Sequence, residues 1–126
     1  MTITLTPQEA EEYFYNALCN GLGYVTSGYD LMLSYKKEDR IQAKEKLTAS
    51  ACYEDVLMQI LRDGGTLTLT DDEDEDNSYS ITLKDVHERV AKTPIKHLTN
   101  MITENDDAET ADVILQTVFL EDIIYG

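Results

Sequence analysis

Six consecutive acidic residues, Asp71, Asp72, Glu73, Asp74, Glu75 and Asp76, hold the densest chemistry in the chain. A block of like charge repels itself, so it belongs on a solvated loop, at an ion site or against something basic. A calcium loop is the sharpest of these, because a hard cation asks for carboxylate oxygens at alternate positions. The register fails. Counted from Asp72, acids fall at alternate places, but Asn77 stands where the turn glycine belongs and Leu83 where the bidentate Glu belongs. Counted from Asp74, Asp85 falls last but Tyr79 takes the turn position, and both registers run into a strand pattern where the motif needs a helix. The run therefore points to a loop or a contact for a basic surface.

The other reactive side chains form no complete motif. His87 and His97 lack a Cys or His at ligand spacing, and His87-Glu88-Arg89-Val90 opens like a zinc-protease helix whose second His is replaced by Ala91. Such a His reads as a helix-surface residue. Ser27, Ser34, Ser50 and Cys52 have no nucleophile-elbow context. Gly21, Gly23 and Gly28 miss the dinucleotide fingerprint, which wants a third glycine where Thr26 stands, and miss the P-loop, which wants Lys after the last one. Cys19 and Cys52 sit between apolar neighbours without a C-x-x-C pair, and read as small buried hydrophobes. The expectation is a non-enzymatic protein with no catalytic, cofactor-binding or metal residues. Eight tyrosines without a tryptophan suit contact surfaces, and Tyr24, Tyr29 and Tyr35 cluster in one Gly-punctuated segment. Ordinary core and rim packing is the better explanation of them.

A chain of 126 residues fits one domain and buries about two thirds of its unfolded surface without needing a disulfide or metal. Its 42% hydrophobic content is gathered into periodic stretches, which argues for a folded core. Ten basic against 25 acidic residues give a net charge of −15, a field that repels nucleic acid and anionic membranes and attracts basic surfaces. Direct nucleic-acid binding is thereby disfavoured. The N-terminal MTITLTPQEAEE has no signal-peptide pattern and no apolar run reaches membrane-spanning length, so a cytoplasmic location is expected.

The elements that must carry these residues follow from periodicity. Thr6-Pro7-Gln8-Glu9 combines a Thr N-cap, Pro at the first helical position and a capping-box Glu. That helix carries Ala10, Tyr13, Phe14, Ala17 and Leu18, and Asn20-Gly21 reads as its end. After a loop, a charged helix is expected from Asp30 to Leu47, then one from Ser50 to Arg62 with Tyr53, Val56, Leu57, Ile60 and Leu61 on its apolar face. Thr66–Thr70 and Tyr79–Leu83 alternate with period two, which predicts a hairpin with the acidic run as its loop and Leu67, Leu69, Ile81 and Leu83 facing helices. Asp85 to Lys92 reads as a short helix, and Thr93-Pro94 as the N-cap and first position of another. A last helix from Asp107 is apolar through Val113, Ile114, Leu115, Val118, Phe119 and Leu120, hence buried in the core or in an interface. The fold class expected is α+β: a mostly helical single domain of five or six helices packed with one antiparallel β-hairpin.

Charge is segregated along this frame. Residues 63 to 85 set Lys84 alone against Asp63, the acidic run and Asp85, and residues 99 to 126 have no base at all. Between them Arg89, Lys92 and Lys96 make a basic zone. Carboxylates displayed on one side can resemble phosphates along a nucleic-acid backbone. The same segregation suits self-association, basic zone against acidic zone. The stretches CYEDVLMQIL at 52 to 61 and DDAETADVILQTVF at 106 to 119 resemble small acidic accessory proteins encoded by phages and mobile elements. That class includes DNA-mimicking anti-CRISPR and anti-restriction inhibitors as well as small virion and connector proteins, and the resemblance carries over no functional residue. The segregated acidic charge leads to the expectation of an acidic protein-binding module for a basic, nucleic-acid-binding partner, with Asp71, Asp72, Glu73, Asp74, Glu75, Asp76, Asp106, Asp107 and Glu109 as contacts. The alternative is a self-assembling structural or virion component, joined through Val113 to Tyr125 or the basic zone. An enzyme or calcium-binding protein of unrecognised type comes third.

Overall fold

The computed structural model describes residues 3 to 125 as an α+β domain of six helices and a three-stranded antiparallel sheet. Helix α1 (Pro7–Gly28) starts where the sequence places it, with Thr6 N donating to Glu9 Oε1 at 2.9 Å and Glu9 N to Thr6 Oγ1 at 3.1 Å. It does not stop at Asn20-Gly21. A Cβ on Gly21 would lie 2.7 Å from the Ala111 Cβ, so this glycine is where α1 meets the last helix, and close packing offsets its poor helix propensity. The chain leaves α1 through Asp30 in the left-handed conformation, φ 55°.

Strand β1 (Leu31–Ser34) replaces the start of the expected long helix, which shrinks to α2 (Lys37–Lys46). The four residues Leu-Met-Leu-Ser have too little period to decide, and pairing with β2 (Leu67–Asp71) decides for them. The marginal hairpin of β2 and β3 (Ser78–Ile81) thus gains a third strand, in the order β1-β2-β3. Leu33 stands opposite Leu69, Leu69 opposite Tyr79 and Leu67 opposite Ile81, which puts one apolar face inward. On the outer face the Thr68 and Ser80 hydroxyls meet at 2.8 Å.

Helix α3 (Tyr53–Arg62) buries Val56, Leu57, Met58, Ile60 and Leu61, while Tyr53 stays exposed instead of joining that face. Leu83 opens α4 (Leu83–Arg89) and is not a strand residue, because Thr82 and Asp85 close a capping box, Thr82 N donating to Asp85 Oδ2 at 2.9 Å. A 3-10 turn at Val90–Lys92 leads to α5 (Ile95–Ile102), which begins one residue later than expected. Pro94 occupies the cap position, and the Thr93 hydroxyl, expected to cap, is buried without a hydrogen-bond partner.

Helix α6 (Ala108–Leu120) has Asp107 as N-cap and every one of its residues from Thr110 on is buried. It runs antiparallel to α1, with Phe14 against Phe119 at 6.0 Å between ring centroids and Gly21 against Ala111. Its apolar surface is enclosed by α1, α4, α5 and β3. The choice between core and interface for Val113 to Leu120 therefore falls to the core of the same chain. No helix among the described residues is long and apolar enough to cross a membrane.

Candidate functional site

The acidic run forms the β2–β3 hairpin tip. Asp71 ends the strand, and Asp72 to Asp76 are exposed. The tip is held by its own backbone: Asp71 Oδ1 accepts from Glu73 N at 2.9 Å, Asp74 Oδ1 from Asp76 N at 3.2 Å, and Asp74 Oδ2 from Asn77 Nδ2 at 3.2 Å. These short-range turns let Asp side chains replace the missing glycine. Of the ion pairs among the described residues, none uses Asp71 to Asp76, nor Asp106, Asp107 or Glu109. No three His, Cys, Asp or Glu side chains among the described residues converge as a metal site.

The second acidic zone lies at the start of α6 and is partly engaged in structure. Asp107 Oδ1 accepts from Thr110 N at 2.9 Å, and that backbone hydrogen bond holds its carboxyl below the usual range. Asp106 Oδ2 accepts from Asn20 Nδ2 of α1 at 2.9 Å. Glu109 is exposed. Both acidic zones therefore border the C-terminal half of α1, since Asp72 N also donates to Asp30 O at 3.1 Å just beyond its end.

Two clefts lie along this part of α1, one on each side of it. One, of about 650 Å³, runs between Leu22 and Thr26 of α1 and Met32 of β1, with Tyr53 and Asp72 on its rim. The other, of about 490 Å³, is walled by Tyr24, Tyr29 and Tyr125, with Glu109 and Asp112 among its lining. Tyr24 meets Tyr29 edge to face, ring centroids 5.6 Å apart and planes at 86°, and Tyr29 stacks on Tyr125 at 4.9 Å. The Tyr29 hydroxyl donates to Asp112 Oδ2 at 2.6 Å, and burial together with that carboxylate pushes its pKa well above the ordinary tyrosine value. Gln116 fixes the cleft from inside. Its Nε2 donates to Asp112 Oδ1 at 2.8 Å, and its Oε1 accepts from Ile124 N at 2.8 Å and Tyr125 N at 2.9 Å, folding the C-terminal segment back so that Tyr125 covers Tyr29.

Asp112 and Gln116 were not singled out as site residues from sequence. Their signal is a polar pair four residues apart on a mostly apolar helix, which becomes informative once both prove buried. Of the three tyrosines in the Gly-punctuated segment, Tyr24 is exposed while Tyr29 and Tyr35 pack against the core, Tyr35 lying apart and tilted against Tyr53 at 6.4 Å.

Three further features depart from expectation. Cys19 and Cys52 are exposed rather than buried, because Cys19 faces out of α1 and Cys52 caps α3. They flank the Tyr15 hydroxyl, which is 3.5 Å from Cys52 Sγ and is pushed up by hydrogen bonds to Cys52 and Asp55 and by burial. His87 is held at 2.9 Å from Glu11 Oε2, a cross-helix contact rather than a free surface residue. Arg89, expected in a basic surface zone, is tied to Asp85, to Glu121 and to Val118 O at 2.8 Å, closing the C-terminal end of α6. Of that zone Lys92 and Lys96 remain exposed. No family model, curated protein or solved structure matches the chain.

Proposed function

We propose that the protein is a non-enzymatic, cytoplasmic binding module whose acidic side docks onto a basic, nucleic-acid-binding protein in the manner of a nucleic-acid mimic. The observation that supports this most is that, among the described residues, no basic side chain pairs with the tip acids, while carboxylates elsewhere, at Glu11, Asp63 and Asp85, are ion-paired. An unneutralised cluster at the end of a hairpin projects a field over about a Debye length, roughly 8 Å at physiological salt, and steers a basic partner toward the clefts behind it. Asp71 to Asp76, Asp106, Asp107 and Glu109 are its contacts in this reading, with Asp106 and Asp107 also serving the fold.

The test is capture of partners from host lysate at low and high salt, with the native protein and with Asp71 to Asp76 changed to Asn or Gln. A nucleic-acid-binding protein retained by the native chain at low salt and lost both at high salt and with the neutral tip is the expected result. Retention by the neutral tip removes the tip from the mechanism. An oligomer in light scattering of the isolated protein would favour self-assembly instead.

A further inference from the structure

Asp112 is a buried carboxylate, 6% exposed, and among the described residues no cation pairs with it. Buried charges are normally paired with an opposite charge, because neutral donors replace only part of the lost hydration. Its two oxygens receive one hydrogen bond each from neutral groups, Tyr29 and Gln116, and a carboxylate has acceptor capacity for about four. Asp112 lies in the lining of the tyrosine cleft, and no basic residue shares that lining. Glu109, one helical turn before it and exposed, supplies a second carboxylate at the mouth. Tyr24, 57% exposed and perpendicular to a Tyr29 that is itself stacked on Tyr125, offers aromatic surface at the cleft, and aromatic ring faces attract a cation.

From the tyrosine walls, the buried carboxylate and the exposed one, we infer that this cleft receives a single cationic side chain of a basic partner, an arginine guanidinium. Arginine fits better than lysine because its planar, weakly hydrated group both stacks on tyrosine and forks toward carboxylates. The docked group gives Asp112 the opposite charge it lacks and places Glu109 at the rim. The inference rests on the acidic side being the dock for a basic protein, and names the residue type that protein inserts.

The experiment titrates the full chain with acetyl-Gly-Arg-Gly-amide and with its neutral citrulline analogue, following the tyrosine ring resonances by NMR. Saturable shifts at Tyr24, Tyr29 and Tyr125 with the arginine peptide alone, at a Kd of about 1 mM, are expected. Tyr24→Ala and Glu109→Gln, both at exposed positions, should each weaken binding about fivefold. Asp112→Asn should do the same, and the two exposed variants keep the test valid if that change unsettles the fold. Equal binding of the citrulline peptide, unchanged affinity in both exposed variants, or shifts spread over the hairpin tip as well as the cleft would overturn it. Failure here is separable from failure of the docking surface: neutralising Asp71 to Asp76 should leave the arginine-peptide affinity within about twofold while abolishing capture of the basic protein.

Discussion

The hairpin tip and the junction of α1, α3 and α4 hold carboxylates in opposite ways. At the junction Glu11 is 17% exposed at its side chain and receives Arg62 Nε and His87 Nε2, each at 2.9 Å, so its charge is answered inside the protein. At the tip Asp71 to Asp76 accept only from neighbouring backbone and from Asn77, and their charge is left to the solvent. Asp112 stands between the two, more deeply buried than the half-buried Glu11 but held by neutral donors like the tip. The net −15 is therefore not a uniform coat: ion pairs serve the fold at one place, and open acids gather at the hairpin tip at another. Such a division lets a protein strengthen its outward field without loosening its core.

The comparison breaks most clearly at the tip. Neutralising Asp71 to Asp76 should lower affinity for a basic partner more than about 100-fold at low salt, by calorimetry, while circular dichroism and thermal midpoint stay at or above the native values because like-charge repulsion is relieved. A loss of fold would make the tip structural, like Glu11. Next comes Gln116→Leu, which strips Asp112 of a donor and frees Ile124 and Tyr125. It should cost about 2 kcal/mol in denaturant unfolding and broaden the Tyr125 ring signals.

Glu11→Ala should cost about 1–2 kcal/mol by the same measurement, since Arg62 and His87 both lose their acceptor. Its pH dependence has a definite sign. Burial works to raise the Glu11 carboxyl, but hydrogen bonds from His87 and Arg62 outweigh it, and the folded-state value lies below the ordinary one. The stabilisation is thus present above the unfolded pKa of about 4.3 and is lost as pH falls through the folded value. Glu11→Gln should flatten that acid limb of the stability curve, and an unchanged limb would place the acid sensitivity elsewhere. The smallest effect is expected for Lys84→Ala. Its pair with Glu88 spans 3.8 Å between two exposed side chains, and thermal melting should move by no more than about 0.5 kcal/mol equivalent.

Legibility followed the range of the interactions. The start of α1, the tip and the start of α6 near Asp107 could be read because a cap, a turn or a dipole-favoured acid is set by residues a few positions apart, as at Thr6 with Glu9. The end of α1 could not, since Gly21 carries the same stop signal whether or not Ala111 of a distant helix packs against it. Strand β1 was hidden for a related reason: Leu31 to Ser34 become a strand only by pairing with residues 68 to 71. The exposure of Cys19 and Cys52 depended likewise on which side of α1 and α3 met the core.

By itself, then, the sequence determined the α+β class, the acidic excess, the place of the acidic run at the turn of a hairpin and the apolar character of α6, all properties of composition, period and local capping. Tertiary structure alone decided that α6 is enclosed by its own chain, that Arg89 and His87 are tied down, and that both acidic zones border the same half of α1. It also decided that Tyr24, Tyr29 and Tyr125 meet over Asp112, because a contact between residues some eighty to a hundred positions apart is set by packing, on which no local pattern bears.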